Sequence, residues 1–184
     1  MDQMKKTEKI VIAGFGGQGV LFTGKVLCQA ALEENKATTY FPSYGAEMRG
    51  GTAHCLVVIS GEEIASPIFK ESDSAIFLNE PSVKKFVPRM KKESLAVINS
   101  SLAKKVSLPE GIKAVWVPAT EIARKIGEIR IANLVALGAF LGKNKIISLE
   151  AVKKALKAVL SGKKEKLLAL NLEALQQGLD WTKG

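Results

Sequence analysis

The sequence predicts an α/β domain of three layers: a mostly parallel sheet with helices on both faces, and a C-terminal helical pair. Three observations carry this. Short β-rich runs alternate with segments of helical periodicity along the chain. The run at 53–59 is almost wholly apolar, as expected of a strand covered on both faces. The first run ends in a glycine turn that leads straight into a helix. The chain has 184 residues and an apolar fraction of 47%. It reads as a single domain over 1–184, large enough to bury a sizeable core.

Lys9 to Ala13 forms strand one. Val20, Gly24, Leu27 and Ala31 recur at helical spacing, so residues 18–34 read as a helix. Residues 37–41 are strand two, expected beside strand one. Residues 42–51 read as a loop, with Pro42, Ser43, Gly45, Gly50 and Gly51 as its breakers. No helix-length segment separates strand two from 53–59. That third strand is therefore expected to run antiparallel, starting at the rim where strand two ends. Residues 74–78, 95–99 and 114–117 supply further strands.

Residues 120–126 and 131–142 read as helices. The second is apolar almost all round, which marks it as deeply buried or pressed against another chain. Ser148 caps the next helix, with Glu150 in its first turn. A last helix carries Leu168, Leu172, Leu175 and Leu179 on one face, and these two helices read as an antiparallel pair.

The formal net charge is +9. Lysines fall in scattered pairs such as Lys84-Lys85, Lys91-Lys92 and Lys153-Lys154. Aromatics are only 6% and none interleaves with these pairs, which argues against nucleic acid. Solvated helix faces, acidic partner subunits or a phosphorylated ligand remain as readings. No apolar run approaches the ~18 residues that span a bilayer, and residues 1–9 lack an apolar signal core. The expected location is the cytoplasm, away from membranes.

Cys28 and Cys55 are too far apart for a metal knuckle and read as small core hydrophobes. The chain has no Ser–His–Asp set and no ligands at metal-binding spacing, so no catalytic or metal-ligating residue is assigned. His54, the only histidine, reads as a buried core residue. Glu47 and Glu80 could make a carboxylate pair, but nothing in the sequence joins them.

Two loops hold the unusual residues. Gly14-Phe15-Gly16-Gly17-Gln18-Gly19 has the G-x-G-x-x-G spacing between a strand and a helix. Glycines allow positive φ and close backbone approach, and the unpaired N–H groups of the helix start suit an anion. A dinucleotide site would want an acidic residue at the end of strand two, where this chain has Thr39-Tyr40-Phe41. A tight structural turn, or a contact to a phosphate, a carboxylate or a partner chain, stays open. The second loop carries Ser43, Tyr44, Glu47, Arg49, Gly50 and Gly51. Arg49 could pair with Glu47 or hold a phosphate or a partner's carboxylate. Both loops are expected on the carboxyl rim of the sheet, where open α/β sheets bind ligands.

Taken together, I-V-I-A-G-F-G-G-Q-G-V at 10–20 and F-P-S-Y-G-A-E-M-R-G-G-T-A at 41–53 resemble the gamma subunit of the 2-oxoacid:ferredoxin oxidoreductases. The resemblance continues through S-D-S-A-I-F-L-N-E-P-S at 72–82 and N-L-V-A-L-G-A-F-L-G at 133–142. Its form is more like the 2-oxoglutarate and 2-oxoisovalerate enzymes than the pyruvate ones. The resemblance implies a Rossmann-like fold without a classical nucleotide site. It also implies a complex that decarboxylates a 2-oxoacid on thiamine diphosphate with Mg, reduces ferredoxin through [4Fe-4S] clusters, and passes the acyl group to coenzyme A. Those cofactors are expected in partner chains: alpha and beta subunits with the thiamine site and a ferredoxin-like delta subunit. Two cysteines cannot supply the roughly four ligands a cluster takes. A homodimer of the isolated chain stays open, as does the alternative of a stand-alone nucleotide-binding or scaffold module. By the resemblance, Gly14, Gly16, Gly17, Gln18 and Gly19, with Ser43, Tyr44, Glu47, Arg49, Gly50 and Gly51, form the ligand or subunit contact.

Overall fold

The computed structural model describes residues 7–43, 52–104, 106–161 and 165–184. Its sheet has six strands: β1 (Thr7–Phe15), β2 (Ala37–Ser43), β3 (Thr52–Ser60), β4 (Ser72–Phe77), β5 (Met90–Asn99) and β6 (Lys113–Val117). Their order is β2-β3-β1-β4-β5-β6. Helices α1 (Val20–Glu33), α2 (Glu80–Phe86), α3 (Ala119–Ile126), α4 (Ala132–Lys143), α5 (Leu149–Val159) and α6 (Glu165–Trp181) cover it. β1, β4, β5 and β6 pair in parallel, and β3 is antiparallel to both β1 and β2. The expected fold class is borne out.

Strand two does not lie beside strand one. The antiparallel β3 sits between them, pairing Ala13 with His54 on one side and His54 with Ser43 on the other. The reason is burial. β3 turns Cys55, Val57, Val58 and Ile59 into the core, whereas β2 exposes Phe41 and carries Pro42, which an edge strand tolerates. β2 also runs on through Pro42 and Ser43, which the sequence placed in the loop.

One face of the sheet is covered by α1, α3, α4 and α5, packed over Ile10, Ile12, Ile76 and Val97. The other buries Val11, Ala75, Phe77 and Ile98 beneath α2 and the side chains of Ala103, Val106, Leu108 and Ile112. α2 has no counterpart in the sequence reading. Its start is nevertheless a standard one: Asn79 Oδ1 accepts from the Ser82 N–H (2.9 Å), with Pro81 in the first turn. Glu34 joins the end of α1 to the start of α5. It accepts from the Ser148 N–H (2.8 Å) and pairs with Lys36 (2.8 Å), which also donates to the Ile146 carbonyl. Although burial alone would raise its pKa, these partners hold the Glu34 carboxyl below its ordinary value.

The all-apolar helix is buried within this chain. Residues 133–141 of α4 are buried, between the sheet and α6. The closest packing of α6 is therefore on α4, and its contact with α5, the expected pair, is the lesser one. Gly138 of α4 lies against the Leu175 carbonyl, and Gly178 of α6 against the Val135 carbonyl. Trp181 Nε1 donates to the Trp116 carbonyl (2.9 Å), tying the end of α6 to the edge strand β6. Among the described residues, no helix is long and apolar enough to cross a membrane.

Candidate functional site

The sheet reverses its winding between β1 and β4: α1 leaves β1 on one face, and α2 leaves β4 on the other. The crevice outside the carboxyl ends at such a switch point is where open α/β sheets take ligands. The glycine turn occupies that place. Gly14 closes β1 so tightly that a Cβ there would meet Gln18 Oε1 at 2.8 Å and Leu78 Cβ at 3.0 Å. Gly17 (φ 90°) and Gly19 (φ 76°) are left-handed, a conformation that favours glycine. Gly16 and Gly17 are exposed.

Gln18 faces inward. Its Oε1 accepts from the Phe15 N–H (2.6 Å) and from Asn79 Nδ2 (3.0 Å), and its Nε2 donates to the Leu78 carbonyl (3.4 Å). One side chain thus bridges the ends of β1 and β4 across the crevice. We expect Gln18→Ala to cost roughly 1–3 kcal/mol, because it leaves two donors without their acceptor. Gln18→Glu keeps both acceptor contacts and should lose less. Urea unfolding of the two variants checks this, and equal losses would contradict it.

The second loop leaves and re-enters the sheet at this same rim. Ser43 is the last residue of β2, and Thr52, the first of β3, pairs with Phe15. Tyr44, Glu47, Arg49, Gly50 and Gly51 lie outside the described residues, and so does any Glu47–Glu80 pairing. Lys85 of α2 donates to Thr52 Oγ1 (3.0 Å) and lies 5.5 Å from the Phe86 ring centroid, which puts a cation at the re-entry point.

His54 is half-buried rather than buried, with its ring 4.7 Å from that of Phe86. Burial first, then the Lys85 ammonium, hold its pKa below the ordinary 6.5, against an opposing pull from the Thr52 carbonyl. The unfolded chain therefore binds this proton more readily. Stability should be flat above about pH 6.5 and fall as pH drops from there toward the lowered folded value. We expect His54→Gln to narrow the gap in melting temperature between pH 8 and pH 5.5. A gap unchanged from the parent would refute the assignment.

Two asparagines that the sequence reading left without a role organise the rim. Asn99, at the end of β5, is fully buried and donates to the Leu78 carbonyl (3.2 Å) and Thr120 Oγ1 (2.9 Å). Its Oδ1 accepts from the N–H groups of Ser101 and Thr120 (3.3 Å each). Asn133, in the first turn of α4, donates to the Gly19 carbonyl (3.2 Å) and Thr23 Oγ1 (3.0 Å). Beside it a cleft of about 350 Å³ opens between the glycine turn, α4 and the start of α6. The signal for Asn133 was available: it is the lone polar side chain in the apolar run 131–142. At the cleft's mouth Arg130 grips Glu128 through its Nε (3.0 Å) and Nη2 (2.6 Å), which lowers the Glu128 pKa to about 2.

Residues 9–181 match the family model described as pyruvate ferredoxin/flavodoxin oxidoreductase. The chain is 41% identical over 177 residues to ketoisovalerate oxidoreductase subunit VorA of Methanothermobacter thermautotrophicus, covering 95% of this chain and 36% of that protein. It thus spans about a third of the length of that relative. The keto/oxoacid ferredoxin oxidoreductase gamma subunit of Geobacter sulfurreducens superposes with a TM-score of 0.81 at 30% identity, covering 96% of this chain and 98% of that one. The 2-oxoglutarate:ferredoxin oxidoreductase of Magnetococcus marinus, solved with 2-oxoglutarate, coenzyme A and succinyl-CoA, superposes with a TM-score of 0.88 at 28% identity, covering 97% of this chain and 31% of that one. The resemblance read from the two rim loops extends over nearly the whole chain, and this protein belongs to the pyruvate ferredoxin/flavodoxin oxidoreductase family.

Proposed function

We propose that this chain is the gamma subunit of a cytoplasmic, multi-subunit 2-oxoacid:ferredoxin oxidoreductase, inactive alone, which contributes to coenzyme A handling and to subunit packing. The observation that carries the reading is its likeness, over 98% of that chain, to a gamma subunit of the same extent. The partners are alpha and beta subunits holding thiamine diphosphate and Mg, and a ferredoxin-like delta subunit holding [4Fe-4S] clusters, with ferredoxin as acceptor. This chain's own residues do not fit a cluster. Burial raises the pKa of both Cys28 and Cys55, and each sulfur is engaged with nearby backbone or Thr38. Electron transfer through clusters is therefore assigned to the partners, and decarboxylation goes with the thiamine diphosphate they hold. The substrate class is a 2-oxoacid of the 2-oxoglutarate or 2-oxoisovalerate kind.

A stand-alone dinucleotide module is the weaker reading, because Gln18 bridges the crevice and β2 ends in Ser43 rather than an acid. The test is anoxic co-expression with the products of the adjacent genes. The assay is coenzyme A-dependent viologen reduction over a panel of 2-oxoacids. Co-purification with activity on one of them is expected. A chain that purifies alone and adds nothing to the activity would end the proposal. In the same assay, Arg49→Ala should weaken assembly or the use of coenzyme A at least tenfold. Unchanged co-purification together with unchanged acyl-CoA formation would remove Arg49 from the site.

A further inference from the structure

The two edges of the sheet are finished differently. β6 is short, opens on Lys113, and is tied to α6 by the Trp181 Nε1 bond to the Trp116 carbonyl. β2 is the other edge, and among the described residues it pairs only with β3. Natural edge strands are kept from pairing further by charge, bulges or proline. The run Ala37-Thr38-Thr39-Tyr40-Phe41 carries no charge, pairs with β3 without a register shift, and meets Pro42 only at its end.

Both flanks of this edge are apolar and open. By register, Phe41 shares the face of Leu56 and Val11, away from α1, and it is 41% exposed. On the α1 side, Cys28 sits against β2 and its sulfur accepts from Thr38 Oγ1 (3.2 Å). One turn further along that helix face is Leu32, 56% exposed.

The edge is also complementary to itself. A chain of net charge +9 repels its own copies, so a neutral strip is where two can meet. A two-fold axis through Thr39, perpendicular to the sheet, sets Thr39 against itself, Thr38 against Tyr40 and Ala37 against Phe41. A small or β-branched residue thus faces each aromatic. The same axis leaves Pro42, which has no N–H to give, outside the ladder with Lys36, whose ammonium is paired with Glu34. Centring on Tyr40 would bring Pro42 in. Centring on Thr38 would set Phe41 against Asn35, which is left-handed (φ 54°) rather than extended.

We propose that two copies of this chain associate through β2, antiparallel about Thr39, so that one sheet runs through both. The contact is isologous: each copy offers the same strand, with Leu32 on one face and Phe41 on the other. The paired segment is short, so the affinity is micromolar rather than nanomolar. The inference goes beyond the subunit reading and does not depend on it.

Sedimentation of the full chain alone is expected to show a monomer–dimer equilibrium. Phe41→Lys and Leu32→Lys, both at exposed positions, should each raise the dissociation constant at least tenfold with unchanged circular dichroism. Cysteine cross-linking under mild oxidation reads the register, and it keeps the proposal refutable if a lysine variant fails to fold. Thr39→Cys should give a covalent dimer. Phe41→Cys, whose counterpart lies at the far end of the ladder, should not, and neither should the parent with Cys28 and Cys55. A chain that stays monomeric at submillimolar concentration, a dimer indifferent to both lysines, or cross-linking through Phe41→Cys instead of Thr39→Cys overturns the inference. So does protection of the 37–41 amides from hydrogen exchange that appears only when partner subunits are added, which would give the edge to another chain. Co-purification and coenzyme A-dependent activity are separate measurements, and the subunit proposal stands or falls on those.

Discussion

Gly138→Ala and Gly178→Ala are each expected to lower the melting temperature by about 10 °C, or to leave the chain insoluble. A Cβ at Gly138 would stand on the Leu175 carbonyl, with the Leu179 nitrogen 2.9 Å away. A Cβ at Gly178 would stand on the Val135 carbonyl, with the Ala139 nitrogen 3.0 Å away. Both obstacles are backbone and cannot rotate aside, so the helices must separate. Overpacking usually costs 1–3 kcal/mol and occasionally more; this seam belongs at the upper end, about 3 kcal/mol. For a domain of this size each kcal/mol is worth roughly 2–4 °C. The two sites share one interface, so the double variant should lose less than the sum. Calorimetry decides it: either single variant melting within about 2 °C of the parent would show that α4 and α6 do not meet as described.

A loss of similar size is expected for Asn99→Leu. The substitution preserves approximate volume and removes four hydrogen bonds from a fully buried position. It strands the N–H groups of Ser101 and Thr120, buried or half-buried groups whose orphaning costs roughly 1–3 kcal/mol each when no water can reach them, and leaves the Leu78 carbonyl only its longer bond from Gln18 Nε2 (3.4 Å). Partial relaxation brings the expected total to about 3 kcal/mol. Asn99→Asp keeps the two acceptor contacts and should recover part of it. Unfolding in urea measures both, and an Asn99→Leu chain as stable as the parent would mean that the ends of β4, β5 and α3 hold without this side chain.

The alternation of strands and helices was legible because long, periodic segments such as 20–33 and 149–159 write their burial into the sequence. The seven residues of α2 make too few turns to show a period, although Asn79 and Pro81 were readable start signals. The position of β3 between β1 and β2 was legible in principle. A strand of Cys, Leu, Val and Ile belongs in the middle, and one bearing Pro42 and an exposed Phe41 belongs at the edge. The glycine turn announced its geometry through spacing alone. Gln18 did not announce its bridge to Leu78 and Asn79, because a contact across sixty residues of chain leaves no local pattern. Nor could spacing say that α6 prefers α4, since that choice depends on Gly138 and Gly178 facing each other in space.

The hairpin of β2 and β3 has a consequence for how such a domain can diversify. Its two ends, Ser43 and Thr52, stand on adjacent strands, so the intervening segment bridges almost no distance. Lengthening or rewriting such a tip costs little closure entropy, since each doubling adds only about 0.6 kcal/mol. The number and kind of residues between Ser43 and Thr52 can therefore change without unpicking the six-stranded scaffold beneath.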